Sequence, residues 1–196
     1  MAIANIQVET DLWFANPLPN GGYSWTLASR LGHMLRVAEE RYGPRDPSYT
    51  ILGVEFGGNI PHVWYPGNCR HVIVQIAAYC ATNMQQAYYQ MAHECIHLLS
   101  PTGNANTIVL EEGLTTHFSG VYMLEQFQAI WHPGPGPYHA ACLQVEQLLM
   151  IDPTIIATVR QQQPIIAQIS AADLRAANAN VTEELANALT QPFAVH

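Results

Sequence analysis

Lysine does not occur in this sequence of 196 residues, so all seven basic residues are arginine. That absence fits escape from lysine-directed tagging as well as nucleotide bias, and composition by itself favours the plainer reading. Charge of either sign is scarce: 11% of residues are charged against 49% hydrophobic, low for a globular chain. The formal net charge is −8 and the few arginines are scattered. Nucleic acid and anionic membrane surfaces recruit clustered Lys and Arg, so neither is an expected partner, and strongly acidic substrates are disfavoured on the same ground. No apolar run approaches the length that spans a bilayer. The opening MAIANIQVETDLWF lacks a basic stretch followed by an apolar core and a small-residue cleavage site. The four cysteines (Cys69, Cys80, Cys95, Cys142) contain no C-x-x-C pair, a pattern of reduced, partly buried thiols rather than a disulfide frame. Together these features point to a cytoplasmic protein, with signal-less export as the other route. There are no internal repeats, and the length suits one domain spanning residues 1–196. Oligomeric state leaves no mark on the sequence.

The hydrophobic pattern gives an order of elements. Ser24 is placed to cap a helix running to about Tyr42, with Leu27, Leu31, Met34, Leu35 and Ala38 on its apolar face and Gly43-Pro44 as its stop. Three segments of strand character follow: Tyr49 to Phe56, Ile60 to Tyr65 and His71 to Ala77. The Pro66-Gly67-Asn68 turn between the last two predicts antiparallel neighbours. Helices are expected from about Asn83 to Leu99 and from about Ile108 to Phe127. The stretch from Trp131 to Tyr138, in which prolines alternate with glycines, is excluded from helix. Further helices are expected near 139–151, 154–163, 171–178 and 181–190. A helix, a three-stranded sheet and then helices to the end make the class α+β. The isoleucines at 155, 156, 165, 166 and 169 are expected either to wall the lower side of a cleft, the favoured reading, or to form an association surface.

The chemistry sits in His93-Glu94-Cys95-Ile96-His97. Residues four apart lie one helical turn apart on one face, so both imidazoles can reach a single Zn²⁺, with Glu94 beside it as a base for water. At this chain's His and Glu content, H-E-x-x-H arises by chance in roughly two per cent of such sequences, so the context has to carry weight. Met84, Tyr88, Met91, Cys95 and Leu98 form an apolar stripe, while Asn83, Gln86, Gln90, His93 and His97 form a polar one. Such a helix is buried on one side and lines a cleft on the other. A catalytic zinc takes three protein ligands plus water, and the next helix offers Glu111 and Glu112. Helical projection sets Glu111 beside the core face of Leu110, Leu114, Phe118 and Val121. Glu112 points the other way, alongside Thr116, Ser119 and Met123, and is the expected third ligand. Gly113 and Gly120 on one stripe are expected to let the metal-sharing helix approach closely.

HECIH followed by E-E-G-L-T-T resembles the gluzincin branch of the zincin metallopeptidases, in particular its small single-domain members. The resemblance covers roughly residues 23–125. It implies a zincin-like fold, with an upper sheet and active-helix lobe at about 23–100 and a lower helical lobe at 101–196. It also implies one Zn²⁺ per chain held by His93, His97 and Glu112, Glu94 as general base, and a peptide or protein substrate hydrolysed at a peptide bond. Its edge strand corresponds to Ile60–Tyr65, so that backbone near His62 and Val63 would pair with substrate. Zincins commonly stabilise the oxyanion with a Tyr or His, here Tyr138 or His139 after the Pro/Gly loop. The sequence departs from the pattern in two places. Only fourteen residues separate His97 from Glu112, and Thr116 stands where some gluzincins carry an Asp that orients a metal-bound His. The alternative is a zincin-fold binding or regulatory module with little or no turnover, which the intact Glu94 disfavours.

Overall fold

A computed structural model describes residues 14–67, 70–103, 106–131 and 133–194. Asn68, Cys69 and His132 lie outside the described residues, as does the N-terminal segment. The class is α+β, with a small mixed sheet among the helices.

Helix α1 spans Leu27–Tyr42. Its cap is Thr26 rather than Ser24. Ser29 N–H donates to the Thr26 hydroxyl oxygen (3.3 Å) and Thr26 N–H to that of Ser29 (2.8 Å), a reciprocal box that satisfies two orphan donors. Ser24 instead pins the preceding loop, accepting from Asn16 N–H at 2.9 Å. The helix stops at Gly43, whose φ of +91° few other residues adopt. Buried Arg160 locks this end, donating to the carbonyls of Tyr42, Gly43, Pro44, Leu99 and Pro164.

Strands β1 (Thr50–Phe56), β2 (His62–Trp64) and β3 (His71–Ile76) follow. The sheet order is β1-β3-β2, with β1 parallel to β3 and β2 antiparallel to it. The turn signal gave the β2–β3 pairing. The parallel pairing arises because β2 and its flanking turns act as the crossover between β1 and β3. Val72, Val74 and Ile76 alternate inward and are wholly buried, which fixes the register of β3. That leaves β2 as an edge.

A 3-10 turn at Ala78–Thr82, not foreseen from the sequence, leads into α2 (Met84–His97). Asn83 caps α2 by accepting from Gln86 N–H at 3.1 Å. Gln90, expected on the cleft stripe, is buried and anchors this turn. Its oxygen accepts from Ala77 N–H (2.9 Å) and its amide donates to the Tyr79 hydroxyl (2.8 Å). Tyr88, Met91, Cys95 and Leu98 are buried as their spacing implies.

Helix α3 (Val109–Phe127) is covered on nearly all sides. Leu110, Leu114, Phe118 and Tyr122 are buried, but so are Thr115, Thr116, Ser119 and Met123. It runs between α2 and α4 (Pro137–Ile151). Pro137 and Tyr138 belong to the first turn of α4, contrary to the expectation that the Pro/Gly stretch runs through Tyr138. Proline is admissible at the first helical position, where its missing N–H is no loss. The chain ends with α5 (Ile155–Arg160), a short 3-10 turn, α6 (Ala171–Ala177) and α7 (Glu183–Leu189). Ile155, Ile156, Ile166 and Ile169 pack in the core and do not wall the cleft described below. Among the described residues no helix is long and apolar enough to cross a membrane.

Candidate metal centre

Helix α2 presents His93 and His97 one turn apart, their ring centroids separated by 5.5 Å. Helix α3 brings Glu112 against both. His93 Nε2 lies 3.3 Å from Glu112 Oε2, and His97 Nε2 lies 3.7 Å from Glu112 Oε1. One ligand atom from each residue falls within 4.8 Å of the other two. Donor atoms about 2.0–2.2 Å from a tetrahedral zinc are about 3.3 Å apart, close to the two His–Glu112 separations.

The bonding supports the same conclusion. Glu112 Oε2 is buried and accepts no hydrogen bond, although an imidazole nitrogen is 3.3 Å away. A buried carboxylate oxygen without a donor is costly, and a cation shared with the two facing nitrogens removes that cost. The donor set itself, two imidazoles and a carboxylate, suits zinc.

Around these three side chains stand two further carboxylates. Glu111, placed by sequence beside the core, is buried and engages His97, whose Nδ1 is 2.8 Å from Glu111 Oε1. A carboxylate only accepts, so Nδ1 carries a proton and Nε2 is the nitrogen left facing Glu112, free for a metal once its own proton is displaced. Burial pulls the pKa of His97 down, but the Glu111 bond and the charges of Glu111, Glu94 and Glu112 outweigh it and raise the group to about 9. The site therefore favours positive charge. Burial raises Glu112, yet the nearby His93 imidazole, the charges of His97 and His93 and the neighbouring Thr107 side chain leave it below the usual carboxylate range. Glu94 is buried on the same helix, and desolvation raises its pKa despite the neighbouring imidazoles.

The part expected of Thr116 falls to Glu111. The Thr116 hydroxyl donates to the Glu112 carbonyl at 2.9 Å, and no bond from either histidine reaches it among the described residues. Helical projection missed Glu111 because a wheel shows only its own helix. The available signal was an acid facing a core, which needs a buried partner. Gly113 also has a different neighbour from the one expected. A Cβ there would run into the Ala141 carbonyl and the Val145 side chain of α4, not into α2.

Tyr138 reaches the site from the first turn of α4, edge-on to His93 with ring centroids 5.8 Å apart. Burial, then the charges of Glu112 and Glu94, push its pKa up, so its hydroxyl keeps a proton to donate. His139 is absent from the lining of the cleft. One residue along a helix turns the side chain by about 100°, so Tyr138 and His139 cannot both face inward.

These groups floor a cleft of about 690 Å³ whose far wall is the edge strand, with His62 and Val63, and the flanking Ile60 and Tyr65. An adjoining hollow of about 470 Å³ opens past Glu94 and is walled by Ile60, Tyr89, Trp131 and Tyr138. The structure thus brings together His93, Glu94, His97, Glu112, Tyr138, His62 and Val63, and leaves His139 apart. Comparison of the chain with known protein families, with characterised proteins and with solved structures finds no match.

Proposed function

We propose that the chain is a zinc-dependent peptidase of the gluzincin type, with a zincin-like fold. The observation that carries this reading is the convergence of His93 Nε2, His97 Nε2 and a donor-less Glu112 oxygen beside Glu94 at the floor of an open cleft. Zinc held there supplies Lewis acidity, which makes water a nucleophile near neutral pH and draws charge from a carbonyl.

The protein's own groups do the rest. Glu94 accepts the proton of the attacking water and delivers it to the leaving amine. Its raised pKa suits that exchange, because a carboxyl nearer neutrality both takes and holds a proton well. The Tyr138 O–H donates a hydrogen bond to the oxygen that gains negative charge as the carbonyl is attacked. The outer edge of β2, at His62 and Val63, offers unpaired backbone to an extended peptide, which lies along it as a fourth strand. The apolar hollow beside Glu94 accepts a substrate side chain next to the cut bond. Glu94→Gln keeps the shape and the three ligands but removes the base. Its expected result is full zinc content with peptide hydrolysis lowered by at least about 100-fold, and turnover equal to the unaltered protein would reject the assignment.

A further inference from the structure

The same helix α3 carries a second cluster of metal-ligating side chains, facing α4. His117 lies one turn beyond Gly113 on the same stripe. Where Gly113 admits the α4 backbone at Ala141, His117 meets the next residues of α4 on that side. His117 Nδ1 is 3.6 Å from Glu146 Oε1, and Cys142 Sγ is 3.7 Å from the same oxygen. One ligand atom each from His117, Cys142 and Glu146 falls within 4.8 Å of the others. We infer that His117, Cys142 and Glu146 form a second divalent-cation site, selective for zinc, that clamps α4 to α3.

The chemistry of the set supports this. For zinc–sulfur and zinc–nitrogen or zinc–oxygen bonds of about 2.3 and 2.0 Å, tetrahedral edges are about 3.3–3.6 Å, within a few tenths of an ångström of the two distances. A thiolate and an imidazole beside one carboxylate select zinc over magnesium or calcium, which prefer oxygen alone. On binding, the Cys142 thiol gives its proton to solvent. Thiolate and carboxylate then balance the two positive charges of the ion, so the loaded, half-buried site carries no net charge. Cys142 is buried, whereas the Glu146 side chain is 46% exposed. The ion is therefore anchored from inside and open to water for a fourth ligand. Arg41, the cation whose charge reaches His117, is itself paired with Glu125 at 2.5 Å. The ordinary alternative is an S–H donating one helical turn along to Glu146, with His117 beside it.

The cluster has a structural consequence. Cys142 lies one turn after Tyr138 on α4, and His117 lies five residues after Glu112 on α3. An ion joining them fixes the helix that carries the phenol against the helix that carries the Glu112 carboxylate.

Cobalt(II) titration of the intact chain tests this, because sulfur-to-cobalt charge transfer absorbs in the near ultraviolet and the His93/His97/Glu112 centre has no sulfur. The expected result is such a band in the unaltered protein, kept in His97→Ala and lost in Cys142→Ser. Glu146→Gln, at a half-exposed position that tolerates replacement, weakens cobalt binding in the titration of that band by more than about 100-fold. It carries the test if Cys142→Ser does not fold. A spectrum without the band at saturating cobalt overturns the inference. So does a band that survives Cys142→Ser, which would come from another thiol, or an unchanged cobalt affinity in Glu146→Gln.

Discussion

Glu111 and His97 are joined across two helices by a contact of 2.8 Å between a buried carboxylate and imidazole Nδ1. The contact fixes the ring so that Nε2 faces Glu112, and it supplies charge behind the proposed ligand. Partners of this kind contribute about 10–100-fold to metal affinity. Glu111→Gln keeps an acceptor but loses the charge, and is expected to weaken zinc about tenfold in competition with a chromogenic chelator. Glu111→Ala, which also frees the ring to rotate, is expected to weaken it about 100-fold. Affinities equal to the unaltered protein in both variants would show that Glu111 does not support the site.

Gly113 gives a prediction of sign. Glycine to alanine inside a helix ordinarily stabilises by about 1 kcal/mol. Here the added carbon meets the Ala141 carbonyl and Val145, and a backbone group of a packed helix cannot move aside cheaply. Gly113→Ala is expected to destabilise by about 1–3 kcal/mol in urea unfolding. A gain in stability would mean that α4 does not pack as closely as described.

Much of the site was legible because its signals are local. The four-residue spacing of His93 and His97 is a property of one helix, and the rotation between Glu111 and Glu112 singled out Glu112 as the acid that faces both histidines without reference to any other element. The sheet was legible only in part. A tight turn specifies β2 against β3, while the parallel pairing of β1 with β3 is non-local and leaves no mark on either strand. The neighbours of α3 were hidden for the same reason. A wheel shows that Gly113 makes room, not that α4 fills it, and it cannot show that Glu111 finds His97 on another helix. Tyr138 was named from its place after the Pro/Gly loop. Its advantage over His139 appears only once Pro137 is seen to start a helix.

His33 couples stability to pH away from the candidate metal centre. It is half-buried on α1, with Nδ1 2.7 Å from the Tyr122 hydroxyl of α3. Burial, then the charges of Arg36 and Arg30, hold its pKa below 6.5 against the opposing pull of Glu40. The unfolded chain therefore takes up a proton at this residue before the folded one does. Stability falls as pH drops through about 6.5 toward the folded pKa and is fully present above it. Thermal unfolding of the unaltered protein and of His33→Gln at pH 7.5 and pH 5.5 is expected to show a smaller acid-induced fall in Tm for the variant. An equal fall in both would remove His33 from the account.

The most direct test of the central claim is the zinc content of the purified, folded protein beside that of His97→Ala, each dialysed against a weak chelator. His97→Ala is expected to lose one zinc per chain and all peptide hydrolysis, while any zinc at the second cluster stays in place. If His97→Ala binds as much zinc as the unaltered protein, then His93, His97 and Glu112 do not hold a metal together, and the peptidase assignment fails with them.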